Sequence, residues 1–335
     1  MNQNLMNRKI NRVGTNTLTV SLPRSWVKKH KLKQGQELSV TEYGKKIVFS
    51  VEPAKQESTY SLQIPEGEFL LRYLERPYIA GYDEIKFTFK NYEILVELQE
   101  AIQRLIGVDI VQQDSKSCTA KVFVTEEMKE IKKTMISVFC TVKMMFDTLF
   151  DSLKKKNFEN LKKLKSLDDS ISRLTSLSLR LINKGNVIGE IRSSVYYASL
   201  SRELEHIGDQ FSFISQACEF QKGDEINQEL FNFLDFVKKR FELLYDFYIK
   251  PKWDKVHFLK SARNIYKTKI HGLFKKLNYN EAIILQRLLG MLSDISYLKA
   301  STGLSLEALF AGKSPLRQPT IKENINAPRI KYQGK

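Results

Sequence analysis

The chain reads as a multidomain protein. A β-rich N-terminal segment is followed by a small α/β module and then by an all-α region built as two three-helix repeats. Three observations predict this. The chain has 335 residues, more than one small core can organise. Leu18, Val20 and Leu22 alternate with Thr17, Thr19 and Ser21, the period of a strand. Tyr197, Leu200, Leu204, Ile207, Phe211, Ile214 and Cys218 recur at alternating steps of three and four, the buried stripe of a bundle helix.

Taken in order, residues 1–52 predict short strands and one helical turn. Pro23 ends the first strand pair, because it cannot donate to a ladder. Ser25 to Leu32 suits a short helix, and Gln34-Gly35-Gln36 a turn. Glu37 to Val40 and Lys46 to Val51 are two further strands, joined through Tyr43-Gly44. About 45 residues of short strands bury little surface alone, so a partner chain is expected. Glu52 to Thr59, with Pro53, reads as a polar linker.

Residues 58–125 predict the α/β module. Glu68 to Glu75, Glu84 to Phe89, Asp109 to Gln113 and Ala120 to Val124 are strand candidates. Tyr92 to Ile106 is a helix, with Ile94, Leu95, Leu98, Ile102, Leu105 and Ile106 on one face. Residues 127–312 predict six helices, at 127–156, 158–184, 187–221, 225–249, 254–277 and 279–311. Asn157, Lys184-Gly185-Asn186, Lys222-Gly223-Asp224, Pro251 and Asn278 are the breaks. Residues 127–221 and 225–311 form the two units of the repeat. Residues 313–335, with three prolines, read as a basic mobile tail.

The composition narrows the function. Lys and Arg number 54 against 38 Asp and Glu, a net charge of +16. Residues 1–52 carry ten basic side chains against three acidic, a net +7 in a short segment. A polyanion is the natural partner of such a segment, because neutralising phosphates releases counterions. The rival reading is a merely soluble basic protein, and lysine-rich stretches such as 154–165 are read as solvated faces. No run of about 18 apolar residues occurs, so no membrane insertion is expected. Met1 to Asn7 lacks the apolar core of a secretory signal. Cys118, Cys140 and Cys218 are unclustered, which excludes a disulfide scaffold or a Cys-rich zinc site and fits a cytoplasmic location.

The N-terminal segment runs Arg8-Lys9-Ile10-Asn11-Arg12-Val13-Gly14-Thr15-Asn16-Thr17, then Val20-Ser21-Leu22-Pro23-Arg24-Ser25-Trp26, then Leu32-Lys33-Gln34-Gly35-Gln36. It resembles the AbrB/SpoVT/MazE-type swapped-hairpin DNA-binding domain over about 45 residues. The resemblance implies that two chains interleave hairpins into one β-barrel, a homodimer or higher assembly on double-stranded DNA. It places Arg8, Lys9 and Arg12 on the reading strand, Asn16 and Thr17 at the turn, and Arg24 just past Pro23. Lys28 and Lys29 extend the basic surface. Elementary chemistry agrees: Arg clamps phosphate or guanine in bidentate fashion, and Asn pairs with adenine. The rival is a dimerising β-module whose arginines solvate an edge strand.

The helical region carries a second resemblance. Arg202-Glu203-Leu204-Glu205-His206-Ile207-Gly208-Asp209 is similar to the third-helix signature of PhoU-type phosphate uptake regulators, and Asp168-Asp169-Ser170-Ile171-Ser172-Arg173 to the acidic motif of that family's second helix. The order of modules resembles that of an archaeal-type group of phosphate regulators. The resemblance implies a divalent metal or iron on the helical bundle, with Glu205, Asp209, Asp168 and Asp169 as the ligand candidates. Glu205 and Asp209 are four apart and share a helix face. Departures count against it. Ser172 stands where a second carboxylate belongs, Asp294 and Leu298 fall at the places of Glu205 and Asp209 in the second half, and Arg263-Asn264-Ile265-Tyr266 has no carboxylate. The rival is a set of structural carboxylates paired with Arg173, Arg180 or Arg202.

No phosphate-binding loop, dinucleotide fingerprint or H-E-x-x-H helix occurs. Glu203-x-x-His206 has the spacing of a di-iron ligand pair, but a single copy reads as coincidence. His30, His206, His257 and His271 are scattered, and Trp26 and Trp253 read as packing residues. A non-enzymatic function is expected: a DNA-binding transcriptional regulator of phosphate uptake, with the helical region as sensor. The alternatives are an adaptor docking on a phosphate transporter or sensor kinase, with the barrel serving dimerisation only, and a metal-storage or redox bundle.

Overall fold

A computed structural model describes residues 7–43, 46–51, 58–64, 70–91, 93–124, 128–184, 191–220, 225–250, 270 and 272–310. The chain divides into two compact units, Met1–Glu57 and Ser58–Lys335.

The first unit is two hairpins around a short helix. Strands β1 (Ile10–Val13) and β2 (Thr17–Val20) pair antiparallel, with Ile10 opposite Val20 and Val13 opposite Thr17. Gly14 turns the corner with φ of 69°, a left-handed conformation that glycine adopts without a Cβ penalty. Helix α1 (Arg24–Lys29) follows Pro23, and β3 (Ser39–Tyr43) pairs with β4 (Lys46–Ser50). Among the described residues of this unit, not one side chain is buried.

The second unit opens with the α/β module. Its sheet has the order β5-β6-β8-β7, formed by β5 (Thr59–Gln63), β6 (Glu84–Thr88), β7 (Val108–Gln113) and β8 (Ser117–Val122). The β5–β6 pair is parallel, which requires the crossover helix α2 (Leu70–Ala80). Helix α3 (Ile94–Gln103) precedes the β7–β8 hairpin. Ile85, Phe87, Cys118 and Ala120 of the sheet are buried in one core with Leu74 and Tyr78 of α2 and Leu95 and Leu98 of α3.

Two expectations are corrected here. Glu68 to Glu75 is not a strand, for from Leu70 onward the chain is helical. Leu70, Leu74, Pro77 and Tyr78 are buried at helical spacing, and that tertiary contact outweighs the local run of apolar residues. The polar linker does not reach Thr59, which already lies in β5.

The helical region comprises α4 (Met128–Lys155), a 3-10 turn (Phe158–Leu161), α5 (Lys162–Lys184), α6 (Ile191–Glu219), α7 (Gln228–Ile249) and α8 (Tyr279–Phe310). All seven residues of the predicted α6 stripe are buried. Aromatic rings fill the centre: Phe146 meets Phe211 edge-on at 4.8 Å, and Phe139 lies 5.7 Å from Phe241. Most of the predicted fifth helix, the breaks at 185–186, 222–224 and Pro251, residues His257, His271 and Trp253, and the tail lie outside the described residues.

A buried guanidinium ties the α/β module to the helices. Arg180 of α5 donates from Nη1 to the carbonyls of Tyr78 at 2.9 Å and Tyr82 at 2.7 Å, and its Nη2 lies 3.5 Å from Asp83. Lys184 also pairs with Asp83, and Asn183 donates to the Ile79 carbonyl at 2.8 Å. Burial works to raise the Asp83 carboxyl, but the Lys184 and Ser58 hydrogen bonds and the charges of Lys184 and Arg180 hold it below its ordinary range.

Candidate functional site

The first candidate is the N-terminal hairpin. Arg8, Lys9, Arg12, Asn16, Thr17, Arg24, Lys28 and Lys29 are all exposed. Arg12 lies within β1, whereas Arg8 and Lys9 precede it, so the expected pairing of Arg8 and Arg12 on one strand extends only partly into the strand itself. Thr17 opens β2, Asn16 sits in the turn, and Lys28 and Lys29 form the last turn of α1. Because cross-strand partners share a face, the register puts Arg12 with Ile10, Leu18 and Val20. The opposite face carries Asn11, Val13, Thr17 and Thr19. Ile10 and Leu18 are 69% and 65% exposed, and in the second hairpin Val40 and Ile47 are 59% and 62% exposed. Apolar pairs left in water on two small hairpins are surfaces suited to pack against a partner.

The second candidate is acidic and lies where α5 packs on α6. Gly208 makes the approach close. A Cβ there would meet Ile171 Cδ1 at 3.0 Å and Asp168 Oδ1 at 3.2 Å. Asp168 accepts a hydrogen bond on Oδ2 from Ser212 Oγ at 2.8 Å, while its buried Oδ1 has no partner among the described residues. Burial pushes Asp168 up, against the Ser212 hydrogen bond. Burial raises Asp209 too, helped by the charge of Asp168. Glu205 is pushed up to about 7, first by burial and then by Asp209, Glu75 and Asp168, with Arg202 opposing.

Three of the four predicted acidic residues, Asp168, Glu205 and Asp209, thus share one electrostatic environment. Asp169 is exposed beside them. Glu75 was missed. It comes from α2, where Ser176 Oγ donates to its Oε1 at 2.7 Å. Reading Glu68 to Glu75 as a strand hid it, for only a helix packed on α5 carries Glu75 there. Of the three arginines in the rival reading, Arg202 acts on Glu205, while Arg180 donates to two carbonyls and lies beside Asp83. An all-oxygen donor set with an orphaned buried oxygen suits a hard cation.

These features define a chain with a small-stranded basic unit and a helical region that holds an acidic cluster. Residues 12–57 match the family model described as antidote-toxin recognition MazE, bacterial antitoxin. Residues 136–217 match the PhoU domain model, which spans most of α4, all of α5 and most of α6. The chain therefore carries an N-terminal MazE/AbrB-type domain and a PhoU domain. Domains of both kinds are typically regulatory and non-catalytic. No curated protein and no solved structure matches the chain. Among the described residues, no helix is long and apolar enough to cross a membrane.

Proposed function

We propose that the protein is a DNA-binding transcriptional regulator of phosphate uptake. It acts in the cytoplasm as a dimer or higher assembly, with residues 1–52 as the DNA-binding and dimerisation domain. Residues 58–125 form the connecting module, 127–312 the PhoU-like sensor of two three-helix units, and 313–335 a basic extension. The observation that carries the reading is the MazE-type unit itself. It has a net charge of +7 over residues 1–52, every candidate contact is exposed, and no described residue of the unit covers its apolar hairpin faces. Two such units closing on each other bury those faces and leave Arg8, Lys9 and Arg24 to meet phosphates and base edges. Arg12 shares the apolar face and so serves at the rim of the dimer contact. The PhoU domain supplies the link to phosphate, and the Asp168, Glu205 and Asp209 carboxylates would hold the cation that the family resemblance implies. Signal and DNA are coupled as a population shift between dimers that grip the duplex and dimers that do not.

The test is a titration of duplex DNA with the full chain at rising salt. The logarithm of the affinity falls linearly with that of the salt concentration. Each of Arg8→Ala, Lys9→Ala and Arg24→Ala reduces the slope by about one. Duplex binding that is absent at low salt, or a slope unmoved by all three substitutions, refutes the reading and favours the adaptor. Mapping bound DNA genome-wide with and without phosphate then locates the operator.

A further inference from the structure

We propose that Glu203, His206 and Asp294 form a binding site for a first-row divalent cation of the Zn²⁺ type, clipping α6 to α8. This site uses side chains other than those of the acidic cluster between α5 and α6, which it adjoins, and it does not depend on the DNA-binding reading. Glu203 and His206 are three residues apart, on one face of α6. Asp294 comes from α8, 88 residues further along the chain than His206. One ligand atom from each of the three side chains lies within 4.8 Å of the other two. The His206 Nδ1 to Asp294 Oδ2 distance is 2.9 Å. Ligands of a tetrahedral zinc stand roughly 3.3 Å apart, given bonds of about 2.0–2.1 Å. The His206–Asp294 distance falls below that value and the 4.8 Å that bounds all three spacings lies above it, so small rotamer adjustments on two packed helices would close the set.

The surroundings ask for a cation. Asp294 is only 14% exposed at its side chain. Among the described residues neither Glu203 nor Asp294 has a lysine or arginine partner, and Glu203 makes no hydrogen bond. His206 is already engaged by Asp294, which leaves the Glu203 carboxylate facing a second carboxylate. Consistently, burial raises both acids, with Asp294 adding to the effect on Glu203 and His206 opposing it on both. The donor set decides the class of metal. One imidazole nitrogen with two carboxylate oxygens suits zinc and its first-row neighbours, whereas calcium and magnesium take oxygen alone. Three protein ligands leave a fourth position for water. The competing arrangement is a protonated His206 paired with Asp294 and no metal at all.

The experiment strips the full chain with chelator and titrates Zn²⁺ alone, reading heat and bound metal. The expected result is one Zn²⁺ per chain that is lost in His206→Ala and Asp294→Asn. Glu203→Gln, which keeps the His206–Asp294 pair and hence the seam, weakens it by more than about tenfold. Zn²⁺ raises the melting temperature of the parent and leaves that of His206→Ala unchanged. Co²⁺ in place of Zn²⁺ gives the visible bands of a tetrahedral site, absent in the variants. In Glu205→Gln/Asp209→Asn, which removes no member of this donor set, this ion is retained. The proposal is overturned if the parent binds no stoichiometric Zn²⁺, or if binding survives in His206→Ala and Asp294→Asn but disappears with Glu205→Gln/Asp209→Asn.

Discussion

The N-terminal unit and the helical region solve the folding problem in opposite ways. In the first, no described side chain is buried, and Ile10, Leu18, Val40 and Ile47 stand in water. In the second, Phe139, Phe146, Phe211, Phe233 and Phe241 are enclosed within one chain. At about 25 cal/mol per Å² of buried apolar surface, a helical core of this kind is self-sufficient and the hairpins are not. The lesson is that the region with the complete core is the one suited to hold a state. The region without one leaves its apolar hairpin faces exposed, which makes the proposed pairing with a second copy the natural point of control.

The sharpest way to break this comparison is to open the helical core. Phe211→Ala removes the ring that meets Phe146 edge-on and costs about 3–5 kcal/mol, read from chemical denaturation followed by helical circular dichroism. If it leaves the helical transition in place, the core is not where the stability lies.

Next in size is the clamp between the α/β module and α5. Arg180→Ala strips two carbonyls and Asp83 of a buried donor and costs about 3 kcal/mol or more. Hydrogen exchange localises the loss to α2 and β6. Uniform loss over all helices would show that the clamp is not a distinct contact.

A smaller effect is set by pH. Glu205 titrates near 7 in the folded chain, above the ordinary 4.5 of a free side chain. Between those values the metal-free folded state binds the extra proton, so this group's contribution to stability falls as pH rises from about 4.5 to 7 and levels off above. Glu205→Gln is therefore stabilising by about 1–2 kcal/mol at pH 8 and nearly neutral at pH 5 in chelator, checked by melting curves at both values.

The smallest effect on the helical transition belongs to Leu18→Ser. It leaves the melting of the bundle unchanged while shifting the chain from dimer to monomer in sedimentation. A persistent dimer would mean that the hairpin face is not what pairs the chains.

Much of the helical region was legible because burial on one helix face writes itself as spacing. The α6 stripe from Tyr197 to Cys218 is the clearest instance. The second strand of the first hairpin was legible too, in the alternation of Leu18 and Val20 with Thr17 and Thr19, although its register was not. Helix α2 and strand β5 were not. Phe69-Leu70-Leu71 reads equally well as a strand, and only packing on the sheet and on α5 chooses the helix. Glu75 was lost with it. His206 was read as scattered because its partner Asp294 is distant in sequence.

By itself, then, the sequence determined where the described bundle helices and the N-terminal hairpins form, where positive charge concentrates, and which bundle-helix faces are apolar. These are properties of neighbours within a turn or a strand pair. Only the tertiary structure decided that Arg180 binds carbonyls at the C-terminal end of α2, that Glu75 joins the acidic cluster, and that Asp294 faces Glu203 and His206. Each of those meetings joins side chains 80 or more residues apart. Periodicity carries no information across such a span, because it is the packing of whole helices that sets which charges meet.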